Sequence, residues 1–240
     1  MGRWRDSWRE MGGFEACELR SFPLFEGLEI EQLESLLGEH RTLQVPAQHQ
    51  LVFEGDWNDG LFLIRSGVVK VRHLTIQGEE VVIALMGAGE MFGELAMLLG
   101  NSRRSADVVA LTPLEVVKLR WKTVQDELDR STGFAIEMAR LQARRLLCLG
   151  RRFSLRGEDA STRVLATLLE LAYCSGYGND PLAPIPDLKQ TEIAAIAGLA
   201  RGTTSRILTQ LRSRGTIVET AEGLRLANLE PLHRRGLLEP

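Results

Sequence analysis

The hydrophobic period of this chain changes twice, and that pattern limits its fold more than any other feature. Ile30, Leu33, Leu36 and Leu37 follow helical spacing, giving a short helix that ends near Gly38. From Thr42 the period becomes that of strands, in the runs LVFEGD, LFLIRSG, VVKVRHL, EVVIALMGAG, ADVVALT and LEVVKLR. Glycines at 55, 60, 67, 78, 87 and 89 punctuate them, as in an all-β barrel or jelly-roll arrangement. Val69-Lys70-Val71-Arg72 alternates, which predicts a strand with one wet face. From Trp121 the helical period returns, first over Trp121 to Leu128 and then over a proline-free segment from Thr132 to Arg156.

That long segment carries two apolar stripes. One is Phe134, Met138 and Leu141, and the other is Leu146, Leu149 and Phe153. Two readings compete: a seam with a second copy of the chain, or packing back onto its own β domain. Its arginines (Arg140, Arg144, Arg145, Arg151, Arg152 and Arg156) read mostly as a solvated face. Gly150 inside a helix costs about 1 kcal/mol against alanine, so it is expected at a close approach or a bend. Glu158 and Asp159 open a further helix with a stripe of Val164, Leu168, Leu171 and Ala172. The glycine- and proline-dense CSGYGNDPLAPIP then reads as a loop.

Lys189 to Arg214 reads as helix, tight turn, helix. Ile193 and Ile196 face inward from the first helix, Ala194 and Ala197 are small enough to let a second helix cross closely, and Gly198 suits the turn. Ile207, Leu208 and Leu211 anchor the second helix. That leaves Arg201, Gly202, Thr203, Thr204, Ser205 and Arg206 on its N-terminal half, where a recognition helix meets base edges. The run after Gly215 supplies a hairpin wing. Between Ile193 and Val218 there are four arginines and no acidic residue, although the whole chain has a net charge of −3. Double-stranded DNA is the partner this pattern predicts.

The stretch GEMFGELAMLLGNSRRSA (89–106) interrupts the strands. Gly93 and Glu94 open a short apolar helix whose N-terminal N–H groups favour an anion. Leu95 follows in the same turn, and Arg104 and Ser105 can bring a guanidinium fork and a hydroxyl to one oxyanion. A ligand site on a loop held by a β scaffold is the expected reading, against a helical turn with surface arginines.

Composition narrows the classes. Three scattered cysteines (Cys17, Cys148 and Cys174) and four histidines show neither a disulfide framework nor metal spacing, and a reducing cytoplasm fits them. No apolar run is long enough to span a membrane. There is no Ser/His/Asp set and no nucleotide-hydrolysis loop, so no catalytic residue is assigned and an enzyme is not expected. Trp4 and Trp8 lie four apart in an N-terminal arm that reads as a frayed tail or a short amphipathic helix.

In this order, the β domain, the long helix and the winged helix-turn-helix resemble the CRP/FNR family of bacterial transcription regulators, over about residues 20 to 228. The most specific matches are FGELAMLLGNSRRSA and the helix-turn-helix. The resemblance implies an α+β chain: an arm over 1–19, an effector-binding β-roll domain over 20–131, a dimerisation helix over 132–157 and a winged helix-turn-helix domain over 158–240. It implies a homodimer on a palindromic promoter site, with RNA polymerase as a further partner, no membrane and no covalent cofactor. In cyclic-AMP-responsive members the cassette binds the effector, and the matching residues here are Gly93, Glu94, Arg104 and Ser105. Glu94 would take the ribose 2′-hydroxyl, and the others the cyclic phosphate. Those members also place a threonine–serine pair on the long helix; here the positions are Leu149 and Gly150, without hydroxyls. The recognition helix has Arg201-Gly202-Thr203 where cyclic-AMP activators have Arg-Glu-Thr. Its ARGTTSR run looks closer to cyanobacterial nitrogen-control regulators, which answer to 2-oxoglutarate. The FNR-type cysteine cluster is absent. Cyclic AMP leads the effectors so implied, cyclic di-GMP follows, and 2-oxoglutarate or no ligand remains.

Overall fold

The structure, a computed structural model, describes residues 9–11, 13–100, 103–175, 180–221 and 223–238. Trp4 and Trp8 lie outside the described residues. The described part of the arm is not a frayed tail: Arg9–Met11 (β1) pairs antiparallel with Arg41–Val45 (β2). Between them come the short helix Ala16–Leu19 (α1) and Ile30–Leu37 (α2), the latter started by a capping box between Glu29 and Gln32.

The predicted strands form in order: Gln50–Val52 (β3), Gly60–Ser66 (β4), Val69–Leu74 (β5) and Glu80–Met86 (β6). Met91–Phe92 (β7), Asp107–Ala110 (β8) and Leu114–Arg120 (β9) complete the set. They make a five-stranded sheet of order β1-β2-β9-β4-β7 and a four-stranded sheet of order β3-β8-β5-β6. Glu94–Leu98 (α3) sits between β7 and β8, as the glycine turn and apolar run require. β7 was not foreseen, because two residues are too few to show a period.

One expectation fails in β5. Lys70 is buried rather than on a wet face, because both faces of β5 are covered over its first three residues, Val69 to Val71. Arg72, two residues on, pairs with Glu80 at 2.8 Å.

After β9 come Trp121–Arg130 (α4) and Thr132–Leu155 (α5), then Ala160–Cys174 (α6), Gln190–Ala197 (α7) and Arg201–Ser213 (α8). Ile217–Thr220 (β10), Gly223–Leu226 (β11) and Glu230–His233 (α9) end the chain. By contact the chain divides into two compact units, residues 1–71 with 86–148, and residues 72–85 with 149–240.

In the first unit Leu61, Leu63, Val117 and Leu119 of β4 and β9 meet the apolar faces of α2 and α4. Phe25 and Phe134 join there with ring centroids 5.6 Å apart. Phe134, Met138 and Leu141 of α5 belong to this core, so the first stripe packs on its own β domain. The second stripe does not: Leu146 is 70% and Phe153 72% exposed. Gly150 lies within α5, and a Cβ there would meet nothing within 4 Å, so no close approach within the chain accounts for it.

The second unit is built on α6, whose Asp159 N-cap accepts from the N–H groups of Ser161 and Thr162 at 2.8 and 3.0 Å. Hydrogen bonds from Thr162 hold the Asp159 carboxyl below its ordinary range. Val164, Leu168, Leu171 and Ala172 are buried, as their spacing predicted.

Candidate functional site

Gly93 stands at φ 96°, ψ 1° as the residue before α3, and a Cβ there would fall 2.4 Å from Nη1 of Arg104. Both the backbone turn and the close guanidinium therefore demand glycine. The Arg104 backbone is fastened to the preceding β loop: its N–H donates to Asp56 O at 2.8 Å, and its carbonyl accepts from Gly55 N–H at 2.9 Å. Next to it Arg103 lies over the exposed Trp57 ring at 4.3 Å.

Arg104 is 6% exposed and its fork is already in use. Nη1 donates to Gly93 O at 3.2 Å, and Nη2 to Gly60 O at 2.9 Å and Asp59 Oδ1 at 3.1 Å. The other Asp59 oxygen pairs with Lys118 Nζ. Burial acts to raise the Asp59 pKa, but Lys118 and Arg104 prevail and hold it below the ordinary carboxylate range. Burial also lowers the Arg104 pKa, with Asp59 opposing. Arg104 and Lys118 both lie 5.4 Å from the Phe62 ring centroid, and that ring stacks on Phe92 at 4.9 Å. The guanidinium expected to stand free for an anion is thus held by a carboxylate and two backbone carbonyls.

Glu94 is 2% exposed. Its Oε1 accepts from Arg145 Nη1 of α5 at 2.5 Å, and Arg145 Nη2 also donates to Met91 O. Glu94 Oε2 and Arg145 Nε are buried without a partner. Such orphans are costly in a closed protein and are natural contacts for a ligand hydroxyl. Gly93, Glu94, Arg104, Ser105 and Arg145 line one cavity of about 60 Å³. That is well below the ~300 Å³ or more of an ordinary ligand pocket. Leu95 and Ser105 are exposed. The expected anion site at a helix start shrinks accordingly, since α3 has five residues and a correspondingly slight dipole.

In the second unit α7 ends at Gly198 with φ 62°, ψ 41°, and α8 begins at Arg201. Ile193, Ala194, Ile196, Ala197, Ile207, Leu208 and Leu211 are buried, so the two helices cross as predicted. β10 and β11 pair antiparallel as the wing. Arg201, Gly202 and Arg206 are exposed, and Thr203 and Ser205 are half-buried. Gly202 meets nothing within 4 Å. Thr204 contradicts its expected place: it is 0% exposed, with a buried hydroxyl lacking a partner. The reason is spacing, because Thr204 precedes Leu208 and Leu211 by four and seven residues and so joins their inward stripe. Arg212 pairs with Glu219 of the wing at 2.9 Å.

Comparison with known proteins agrees with both halves. Residues 42–131 match the cyclic nucleotide-binding domain family, and residues 162–235 match the Crp-like helix-turn-helix domain. The cyclic AMP receptor protein of Thermus thermophilus is 32% identical over 200 residues, 83% of this chain and 89% of that one. The chain belongs to the CRP/FNR family of transcription regulators. A CRP-like cAMP-activated global transcriptional regulator of Mycobacterium tuberculosis is 28% identical over 89% of this chain and 96% of its own. Among solved structures, FixK2 of Bradyrhizobium japonicum has a TM-score of 0.71 at 19% identity, covering 82% of this chain and 96% of that one. The c-di-GMP responsive regulator CLP of Xanthomonas campestris has a TM-score of 0.62 at 20% identity, covering 83% and 100%. These two likenesses are of fold.

The chain is a CRP/FNR-type DNA-binding regulator with a cyclic nucleotide-binding domain, and Gly93 to Ser105 fall within the residues matched to that domain. The structure brings Gly93, Glu94, Arg104 and Ser105 to one cavity. Leu149 and Gly150 are exposed residues of α5 in the second unit. Three residues at the cassette were missed. Arg145 was counted with a solvated arginine face, though its helical register sets it apart from exposed Arg144 and Arg151. Asp59 and Lys118 gave no signal, since Asp59 pairs with Arg104 across 45 residues and with Lys118 across 59.

Proposed function

We propose that this regulator is a homodimer whose DNA affinity is set by a cyclic nucleotide bound at the Gly93–Ser105 cassette. The observation that carries the reading is the buried Glu94–Arg145 pair, with an unpartnered acceptor and donor beside Arg104 in one cavity. Glu94 Oε2 suits a ribose hydroxyl, and Arg104 with Ser105 suits a cyclic phosphate. Leu95, Leu149 and Gly150 are the remaining effector positions, and neither of the α5 pair offers a hydroxyl to a base. Cyclic AMP is the first candidate, as the names of the Thermus and Mycobacterium relatives suggest, and cyclic di-GMP the second. Binding regulates only if the effector prefers one arrangement of the DNA-binding part.

The functional divisions we assign are an arm over 1–19, an effector domain over 20–131, a dimerisation helix over 132–157 and a DNA-binding domain over 158–240. Exposed Leu146, Leu149 and Phe153 support the helix seam. Arg201, Gly202, Thr203 and Arg206 are the DNA contacts, placed in successive major grooves of a palindromic promoter about 34 Å apart. The protein works in the cytoplasm with RNA polymerase as its further partner. Calorimetry against cyclic AMP, cyclic GMP, cyclic di-GMP and 2-oxoglutarate tests the effector. Binding of 2-oxoglutarate alone, or of none, overturns the cyclic-nucleotide reading.

A further inference from the structure

The carbonyls from Ala194 to Gly198, which end α7 and open the turn, are fully accounted for, and two arginines take three of the five. Ala194 O accepts from Leu199 N–H at 2.9 Å and Ala195 O from Gly198 N–H at 3.1 Å, an ordinary helix ending at an αL glycine. The next three carbonyls are taken by side chains. Arg152 Nη1, from the last turn of α5, donates to Ile196 O at 3.3 Å. Arg163 of α6 donates from Nε to Ala197 O at 2.9 Å and from Nη2 to Gly198 O at 2.6 Å. Arg152 is itself fixed by Glu170 of α6 and is 14% exposed. Gly198 is required for its positive φ, and a Cβ there would fall 2.6 Å from Arg163 Nη2 and displace the guanidinium.

We propose that Arg152 and Arg163 are positioning residues for DNA recognition: they set the angle at which α8 leaves the turn. The turn between α7 and α8 is only three residues, Gly198 to Ala200, so a small shift of its carbonyls swings Arg201 and Arg206 by much more. A planar fork holding two successive carbonyls fixes direction as well as distance, which a lysine cannot do. Cations at the end of α7 also complement its dipole. Arg152 makes the end of α5 part of the same clamp, so the last turn of α5, α6 and the turn move as one piece.

A clamp that only stabilises the fold and one that aims α8 differ in what they do to specificity. Phosphate-driven binding to random DNA tolerates a misaimed helix, whereas base readout does not. The test uses the full chain, a duplex enriched by the wild-type protein from a randomised pool, and a random duplex of equal length, with and without cyclic AMP. Arg163→Lys is expected to lower affinity for the enriched duplex about tenfold, the size of one lost charged hydrogen bond, with the random duplex within about twofold. Arg152→Met is expected to cost about threefold on the same scale. Both variants should show faster amide hydrogen exchange at Gly198 and Leu199, whose N–H groups donate to Ala195 O and Ala194 O. If Arg163→Lys does not fold, Arg152→Met decides alone. An unchanged ratio of enriched to random affinity overturns the proposal, whatever happens to the melting temperature.

Discussion

Arg104 and Arg201 bear the same side chain and opposite physics. Arg104 is buried, with its fork spread over Asp59, Gly60 and Gly93. Arg201 is exposed at the start of α8. The buried guanidinium has already lost its water and its rotamer freedom, so little remains to be lost when an oxyanion arrives. The exposed one keeps its hydration, and its gain on DNA comes from releasing counterions. Salt and substitution should therefore act differently on the two sites.

The largest effect is expected at the buried site. Arg104→Ala should lower phosphodiester affinity by about a hundredfold or more, because a desolvated, aimed charge is removed. Asp59 keeps Lys118 as its partner, so the fold should survive. Calorimetry against cyclic AMP and cyclic di-GMP measures it; affinity within threefold of wild type would end the cassette reading. At the exposed site, Arg201→Ala or Arg206→Ala should each weaken DNA binding about tenfold and reduce the salt slope by about one. Arg104→Ala should leave that slope alone. Titrations across a salt series separate the two behaviours, and a changed slope in Arg104→Ala would collapse the contrast.

The same contrast explains what could be read from the sequence. Local signals were legible: the period of the strands, the helical spacing from Ile30 to Leu37, and Gly198 between two apolar helices all lie within a few residues of what they specify. So did the grouping of Gly93, Glu94, Arg104 and Ser105, whose spacing is a motif. Pairings across long separations were not. Asp59 comes 45 residues before Arg104, and Arg145 is separated from Glu94 by the two strands β8 and β9 and the helix α4. Nothing local marks either as a partner. Thr204 is the instructive failure, since its polar type pointed outward while its register pointed in.

Asp59 gives a finer probe of the buried site. Asp59→Asn keeps an acceptor for Arg104 and removes the negative charge competing with a phosphate. Affinity for the phosphodiester should rise about threefold, the scale of one half-exposed ion pair. Its acid behaviour has a definite sign. The folded pKa of Asp59 is lowered, so its stabilisation is present above the ordinary carboxylate range and is lost as pH falls through the lowered value. Urea melts at neutral pH and at pH ~3 should show a smaller acid loss in Asp59→Asn than in wild type. An equal loss would mean that Asp59 does not hold Arg104 in solution.

The smallest effect tests the exposed site by its one buried member. Thr204 has the shape of valine plus a hydroxyl that finds no acceptor or donor in the core between α7 and α8. Thr204→Val replaces that hydroxyl with a methyl at nearly equal volume and similar helix propensity, so no cavity or strain follows. Removing an unsatisfied buried polar group should stabilise the DNA-binding part by about 1 kcal/mol. DNA affinity should not move, because the side chain faces away from the surface that carries Arg201 and Arg206. Thr203→Val, one residue earlier and half-exposed, should do the reverse: little change in stability and a loss of DNA affinity of a few-fold. Chemical melts and binding isotherms on the two variants form a crossed pair. If Thr204→Val weakened DNA binding and Thr203→Val did not, α8 would present a different face to DNA from the one its buried stripe defines.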